Sequence, residues 1–398
     1  MRPFTALFAA NTGAHAADQL ALAALPLTAA LVFGAGPGMI GALVAAQGSA
    51  WLICSLPAGV LVDRASRRGL LLGAMAVAVA GLGVALAGAL WGVLALLGLG
   101  AAIASAGTVL FALTVGALVP VLVPGTGMAA ANARLEFFRA LATLAAPLAV
   151  GLLAERGVVA AAYAIALLAA LAAAAVAARL PVDAPAAAVA QRPHLAVLLR
   201  EGAGFVAGQP LLRAIFLCAV FWNFAFFAWL AGFVPFALTV LRLEPAGIGL
   251  AQAGYGAGLL LGALAVAPIL ARVPPRVVLV AGPTLSLIAP LLLLAGPPGL
   301  LGAGLAQMSV GFGPMLWLVA QTSIRQALTP AALQGRVAAT MQVAQFGVRP
   351  LGALAGGFLA AAYGPQAAIW LVAAGFGVSL AVAVVSPLSR LGAMPVRV

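Results

Sequence analysis

The chain has 398 residues, 65% of them hydrophobic and 7% charged, with a mean hydropathy of +1.22. Soluble globular chains carry roughly 25% charged residues, so a soluble fold is excluded and an integral membrane protein is implied. The net charge of +12 comes from 19 basic residues, every one an arginine, against seven carboxylates. These arginines stand singly or in short groups between apolar runs, which reads as a topology signal and not as a nucleic-acid surface.

A helix needs about 20 apolar residues to cross a bilayer, so charge, proline and glycine divide the chain into about twelve segments. They lie near 4–33, 38–61, 69–89, 92–119, 133–154, 158–179, 211–240, 246–270, 277–295, 299–324, 337–361 and 366–386. A closed barrel is excluded, because barrel strands alternate apolar and polar residues and these runs are apolar all round. The fold class expected is therefore an all-α membrane protein, twelve transmembrane helices in two pseudo-symmetric six-helix bundles. Expected boundaries are 1–180 for the N-terminal bundle, 181–210 for a cytoplasmic linker and 211–398 for the C-terminal bundle.

The first segment is long enough to be a retained helix and not a cleaved signal. It carries Asn11, His15 and Asp18 at i, i+4 and i+7, on one face, with Asp18 near mid-bilayer. Ionisable groups at that depth are costly unless paired or facing water, which makes Asp18 a functional candidate. The second segment contributes Gln47 and ends in GVLVDRASRRGLL, Gly59 to Leu71, the densest charge cluster in the chain. A simple positive-inside anchor needs no Asp63 among Arg64, Arg67 and Arg68. The fourth segment contains no arginine, and the fifth begins with Glu136 and Arg139, spaced to pair with each other.

The stretch Pro181 to Pro210 holds Asp183, Arg192, His194, Arg200 and Glu201 and reads as a linker with one surface helix. Beyond it, Trp222, Asn223, Gln252, Tyr255, Trp317 and Gln321 are polar or aromatic groups suited to line a cavity. The eleventh segment carries Gln342, Gln345 and Arg349 at i, i+3 and i+7. Arg349 stays charged and so requires a cavity, a carboxylate or an anionic ligand. Asp18 and Arg349 are expected to approach across a central cavity, with proton binding at Asp18 competing with that pair. Each charge tying helices together within its own half is the rival reading. Cys54 and Cys218 fall inside apolar runs and suggest neither disulfide nor metal site.

With the N-terminus inside, the inner loops collect fifteen arginines and the outer loops only Arg156 and Arg242. Both termini are thus expected on the cytoplasmic side. The halves also repeat. VDRASRRGLLLGA from Val62 and LARVPPRVVLVAG from Leu270 place Arg64 over Arg272 and Arg68 over Arg276, with Ala271 opposite Asp63. Pro26 matches Pro235, and the fifth and eleventh segments hold Pro147 and Pro350. Such repeats point to a duplicated transporter with a site near the midplane.

The pattern Gly59, Asp63, Arg64, Arg67, Arg68 resembles the loop motif of the major facilitator superfamily, where it serves as a conformational switch, and the resemblance spans the whole chain. TPAALQGRVAATMQVAQFGVRPLGALAGGFLAAAYG resembles the enterobactin-exporter-like and macrolide-efflux-like, drug–proton antiporter branch. LAAPLAVGLL keeps Pro147 and Gly151 of an antiporter signature, with Ala146 replacing its usual glycine. The resemblance implies a proton-coupled, multidrug-type efflux antiporter in the bacterial inner membrane, a monomer whose partners are a small-molecule substrate, protons and lipid. Asp18 and Arg349 would carry coupling. Asn11, His15, Gln47, Glu136, Arg139, Asn223, Gln252, Tyr255, Trp317, Gln321, Gln342 and Gln345 would contact substrate.

No Gly-rich phosphate loop or metal-ligand cluster accompanies the two histidines, so neither an enzyme site, a cofactor nor a metal is expected. Two rivals to efflux are an importer or facilitator of one metabolite, and a membrane scaffold or lipid-interacting protein that moves nothing.

Overall fold

A computed structural model describes residues 3–123, 127–181, 195–296 and 299–395; it also leaves undescribed the surroundings of Gly59 and the side chains of Asp63 and Arg64, among a few others. Among the described residues there is no β-strand. Six helices form the first half: α1 Pro3–Phe33, α2 Pro37–Arg64, α3 Arg67–Trp91, α4 Leu94–Leu122, α5 Met128–Glu155 and α6 Ala161–Ala177. A shorter amphipathic helix, α7 Leu195–Gly208, precedes the second six. These are α8 Pro210–Thr239, α9 Pro245–Leu270, α10 Pro275–Ala295, α11 Gly299–Leu328, α12 Gln334–Tyr363 and α13 Pro365–Val385.

Ten of these helices are long and apolar enough to cross a membrane; α6 is apolar but has 17 residues, and α12 carries more polar groups. With α6 and α12 the count of twelve expected from the sequence is met; α7 falls within the expected 181–210 linker and packs on α12 in the second unit. The rest of that linker, including Asp183, Arg192 and His194, lies outside the described residues.

Local chemistry sets the ends. Proline occupies the first helical turn of α2, α8, α10 and α13, where its missing N–H costs nothing. Gly92 closes α3 in the left-handed region at φ 71°. Ser66 opens the same helix by accepting the Gly69 N–H at 3.3 Å.

Helices in lipid gain little from the hydrophobic effect between themselves and associate through close packing of small residues. The α3/α4 pair shows this most clearly. A Cβ on Gly81 would stand 2.3 Å from the Ala104 nitrogen, and one on Gly100 2.2 Å from the Ala85 nitrogen. The backbones touch there, and only hydrogen fits. In α8 and α12, Gly352 likewise meets the Phe224 carbonyl at 2.0 Å from an added Cβ.

The described chain forms two compact units, Met1–Val189 with Leu243–Ala253, and Ala190–Arg242 with Gly254–Val398. The first unit pairs α3 with α4, α1 with α5 and α6, and α3 with α6. The second repeats the pattern as α10 with α11, α8 with α12 and α13, and α10 with α13. The two units thus share one packing plan. The opening turns of α9 group with the first unit, because Gly249 nests on α5, where its Cβ would lie 2.3 Å from the Pro147 carbonyl. The Glu155 carboxylate also accepts the Ala246 N–H at 3.0 Å, an acidic group at a helix N-terminus.

Candidate functional site

In the first unit the polar face of α1 turns into the bundle. Asn11 is buried, and His15 and Asp18 are half-buried. Asp18, at the midpoint of α1, accepts a hydrogen bond from Gln19 Nε2 at 3.1 Å and is bonded by the Thr108 hydroxyl. It lines a narrow cavity between α1, α2, α3, α4 and α6 together with Gln47, Ser105 and Thr108; the walls are mainly alanine. Gln47 is only 4% exposed, and its Oε1 has no hydrogen-bond partner among the described residues. Arg139 on α5 acts electrostatically on both His15 and Asp18. It also pairs with Glu136 at 3.4 Å, both side chains being exposed.

The second unit holds a different site. Arg349, at the midpoint of α12, donates from Nε to Asn223 Oδ1 at 3.0 Å, while Asn223 donates its amide to the Ala219 carbonyl at 2.9 Å. The guanidinium lies over the Phe346 ring at 4.4 Å and the Phe227 ring at 5.2 Å. Those faces turn the negative side of their quadrupoles toward the cation. The aromatic surface extends through Phe226, which stacks on Trp222 at 4.8 Å and packs against Tyr255 at 5.5 Å. Trp222 is oriented by its Nε1–H, which donates to Ser286 Oγ at 3.0 Å.

Asp18 and Arg349 therefore belong to separate units, each with partners in its own. Other candidates scatter. Gln252 stands in the part of α9 grouped with the first unit, and its Oε1 and the Trp317 Nε1 lack hydrogen-bond partners among the described residues. Gln321 is buried and donates to Thr322 Oγ1 at 2.9 Å; Gln345 is half-buried, and Gln342 is exposed.

The switch motif is described in part. The surroundings of Gly59 and the side chains of Asp63 and Arg64 are outside the description, whereas Arg68 Nη2 donates to the Ala178 carbonyl at 2.6 Å. That bond places a cation on the C-terminal end of α6, where exposed carbonyls and the helix dipole favour it. In the repeat the corresponding position is joined through backbone alone: the Arg276 main-chain N–H donates to the Leu391 carbonyl at 3.2 Å, past the short 3-10 turn Pro387–Arg390 that follows α13.

Sequence reading did not single out Ser105, Thr108, Ser286 or Phe226. The i, i+3 spacing of Ser105 and Thr108 was visible, but serine and threonine in apolar helices commonly bond back to their own helix, as Thr114 does to Leu110.

The sequence matches the Major Facilitator Superfamily over residues 7–342. No curated protein matches it. Among solved structures, the nucleoside transporter NupG is similar with a TM-score of 0.76 at 13% identity, covering 97% of this chain and 98% of that one. A POT family transporter in complex with 5-aminolevulinic acid gives 0.77 at 14% identity, covering 97% and 96%. A peptide transporter POT in complex with sulfate gives 0.74 at 14%, covering 96% and 93%. These identities speak to fold alone, but the family match spans most of the sequence, and with the duplicated six-helix plan and mid-helix charges it leads to one assignment: the chain belongs to the Major Facilitator Superfamily, as a multi-pass secondary transporter.

Proposed function

We propose that the protein exports amphipathic small molecules in exchange for protons by alternating access. The observation that carries this reading is the Arg349 site. A permanent cation, a hydrogen-bonding amide and a floor of Phe227, Phe346, Phe226, Trp222 and Tyr255 offer a stacking face and a polar anchor side by side. A molecule with a flat apolar body and one polar end meets both at once. Asp18 supplies the coupling carboxyl, standing midway along α1 and bonded to a neutral amide and a hydroxyl. The exposed Glu136–Arg139 pair lies where it can tune that carboxyl, and the α3-to-α6 tie through Arg68 is a contact suited to being remade as the transporter switches.

Import or facilitated passage of one specific metabolite is the second reading. It is favoured by the Arg349–Asn223 pair, a directional polar reader able to recognise a carboxylate.

Inside-out vesicles with an inside-acid gradient test both. Export by antiport predicts gradient collapse when lipophilic cations, macrolides or catecholates are added to wild type, and none with Asp18→Asn. Saturable movement of one metabolite class out of preloaded vesicles, or its equilibration in both directions, without any proton movement would instead support the second reading.

A further inference from the structure

We propose that Ser286 sets which substrates the aromatic face accepts: by fixing the plane of Trp222 it makes the site prefer flat aromatic bodies over puckered apolar ones of similar size and equal charge. This rests on the reading of the Arg349 site as the place where substrate binds. The Trp222 Nε1–H donates to Ser286 Oγ at 3.0 Å, and the Ser286 hydroxyl gives its own hydrogen to the Gly282 carbonyl at 3.1 Å. With that hydrogen committed along α10, the oxygen meets the indole only as an acceptor. Ser286 is fully buried, whereas Trp222 is half-buried. A dry anchor thus holds a ring that is partly open.

The bond matters because the last torsion of a tryptophan side chain is a broad rotation about an sp³–sp² bond, with no sharp minimum of its own. Trp222 stacks on Phe226 with centroids 4.8 Å apart and planes 14° from parallel. Phe226 in turn meets Phe227 edge-on at 6.0 Å and Tyr255 at 5.5 Å, and Phe227 is one of the two rings beneath the Arg349 guanidinium. The plane of the indole is therefore passed through Phe226 to the rings around the cation. A surface already held flat loses little freedom when a flat molecule lands on it, and offset-stacked rings attract one another beyond their buried area. A puckered body of similar size touches the same rings but cannot stack.

Comparisons within the chain separate this pair from ordinary packing. Trp229, two helical turns on, uses the same device, donating to Gln307 Oε1 at 3.3 Å and stacking on Phe233 at 5.4 Å, but it is 1% exposed and closed to any ligand. The Trp317 Nε1 is buried with no hydrogen-bond partner among the described residues, so an anchored indole is not a general requirement of this unit. The repeat adds a third contrast. The register that sets Arg64 over Arg272 puts Ala78 opposite Ser286, and the one that sets Pro26 over Pro235 puts Gly13 opposite Trp222. Anchor and ring are both missing from the first unit, although the two units share one packing plan. They belong to what distinguishes the second unit, its aromatic site.

The test measures binding of tritiated 2-naphthoate and decahydro-2-naphthoate to the purified full-length protein in nanodiscs, with empty nanodiscs subtracted. Both probes carry one carboxylate, so the ratio of their affinities cancels the charge and reads flatness. Wild type should hold naphthoate roughly three- to tenfold tighter, the size of a stacking preference. Ser286→Ala should bring the two affinities together. Trp222→Phe should do the same, and Ser286→Ala should then add nothing in that background, because a residue acting through another is not additive with its loss. Gln307→Met, which frees the closed Trp229 instead, should lower the unfolding temperature and keep the ratio. Ser286→Cys, close in size but a weak acceptor, carries the test if Ser286→Ala does not fold. An unchanged ratio in the folded Ser286 variant, an additive effect in the double variant, or an equal collapse in Gln307→Met overturns the role of Ser286. Equal binding of both probes to wild type overturns the selectivity and leaves the substrate reading of the site standing. Binding of neither probe removes this face as a substrate floor and sinks both.

Discussion

Arg349 and Arg68 use the same side chain for opposite purposes. At Arg349 the planar guanidinium lies on two phenyl rings and meets the Asn223 amide, a geometry that an ammonium point charge does not reproduce. Arg349→Lys keeps the charge and loses the stack, roughly 1–2 kcal/mol, so transport should fall about tenfold with the unfolding temperature little changed; proteoliposome flux beside a thermal melt would show it. Arg68 instead bonds a helix end. Removing its bond to the Ala178 carbonyl in Arg68→Ala should cost about 1 kcal/mol of stability, read as a lowered unfolding temperature, and more than the matching loss of the Arg276 side chain, whose tie to Leu391 runs through its backbone N–H. The sequence made Asp18 and Arg349 legible because charge inside an apolar run is conspicuous. It did not reveal the partners: Gln47 stood out only as one polar candidate among many, Ser105 and Thr108 look like ordinary polar residues until the helices are packed, and the Phe226–Tyr255 contact crosses between helices α8 and α9.

At the level of helices, boundaries read from hydropathy fall within a few residues of the observed ends, because charge, proline and glycine both punctuate the sequence and stop the helix. α12 is the instructive case. Its Gln342, Gln345 and Arg349 lower its hydropathy, yet its length and the Gly352 and Gly356 contacts with α8 place it in the second unit. Which glycines matter is not legible in one dimension. Gly81 and Gly83 are two residues apart in α3, but a Cβ at Gly83 meets nothing within 4 Å and one at Gly81 runs into the α4 backbone. Gly81→Ala should therefore destabilise by roughly 1–3 kcal/mol, and Gly83→Ala should be neutral or stabilise by up to about 1 kcal/mol through helix propensity. Thermal unfolding of the pair in one detergent checks both signs together.

For the whole molecule, duplication was legible from the aligned arginines, and its structural counterpart is the shared pairing plan of the two units. The division of the chain was expected at 181–210, and the grouping of residues 243–253 with the first unit depends on Gly249 and Glu155, contacts far apart in sequence. Orientation still rests on arginine asymmetry. It predicts that Val158→Cys, in a background of Cys54→Ala and Cys218→Ala, reacts with an impermeant maleimide in intact cells, whereas Ala271→Cys reacts only after permeabilisation; both positions are exposed. The opposite pattern would invert the topology.

The α3/α4 seam has a consequence in time as well as in space. Backbones that touch at Gly81 and Gly100 leave no gap through which water can reach the intervening amides, and neither helix can slide without first separating from the other. Opening them requires the pair to come apart as a unit, so in deuterium labelling the amides of residues 81–85 in α3 and 100–104 in α4 should be among the last to exchange.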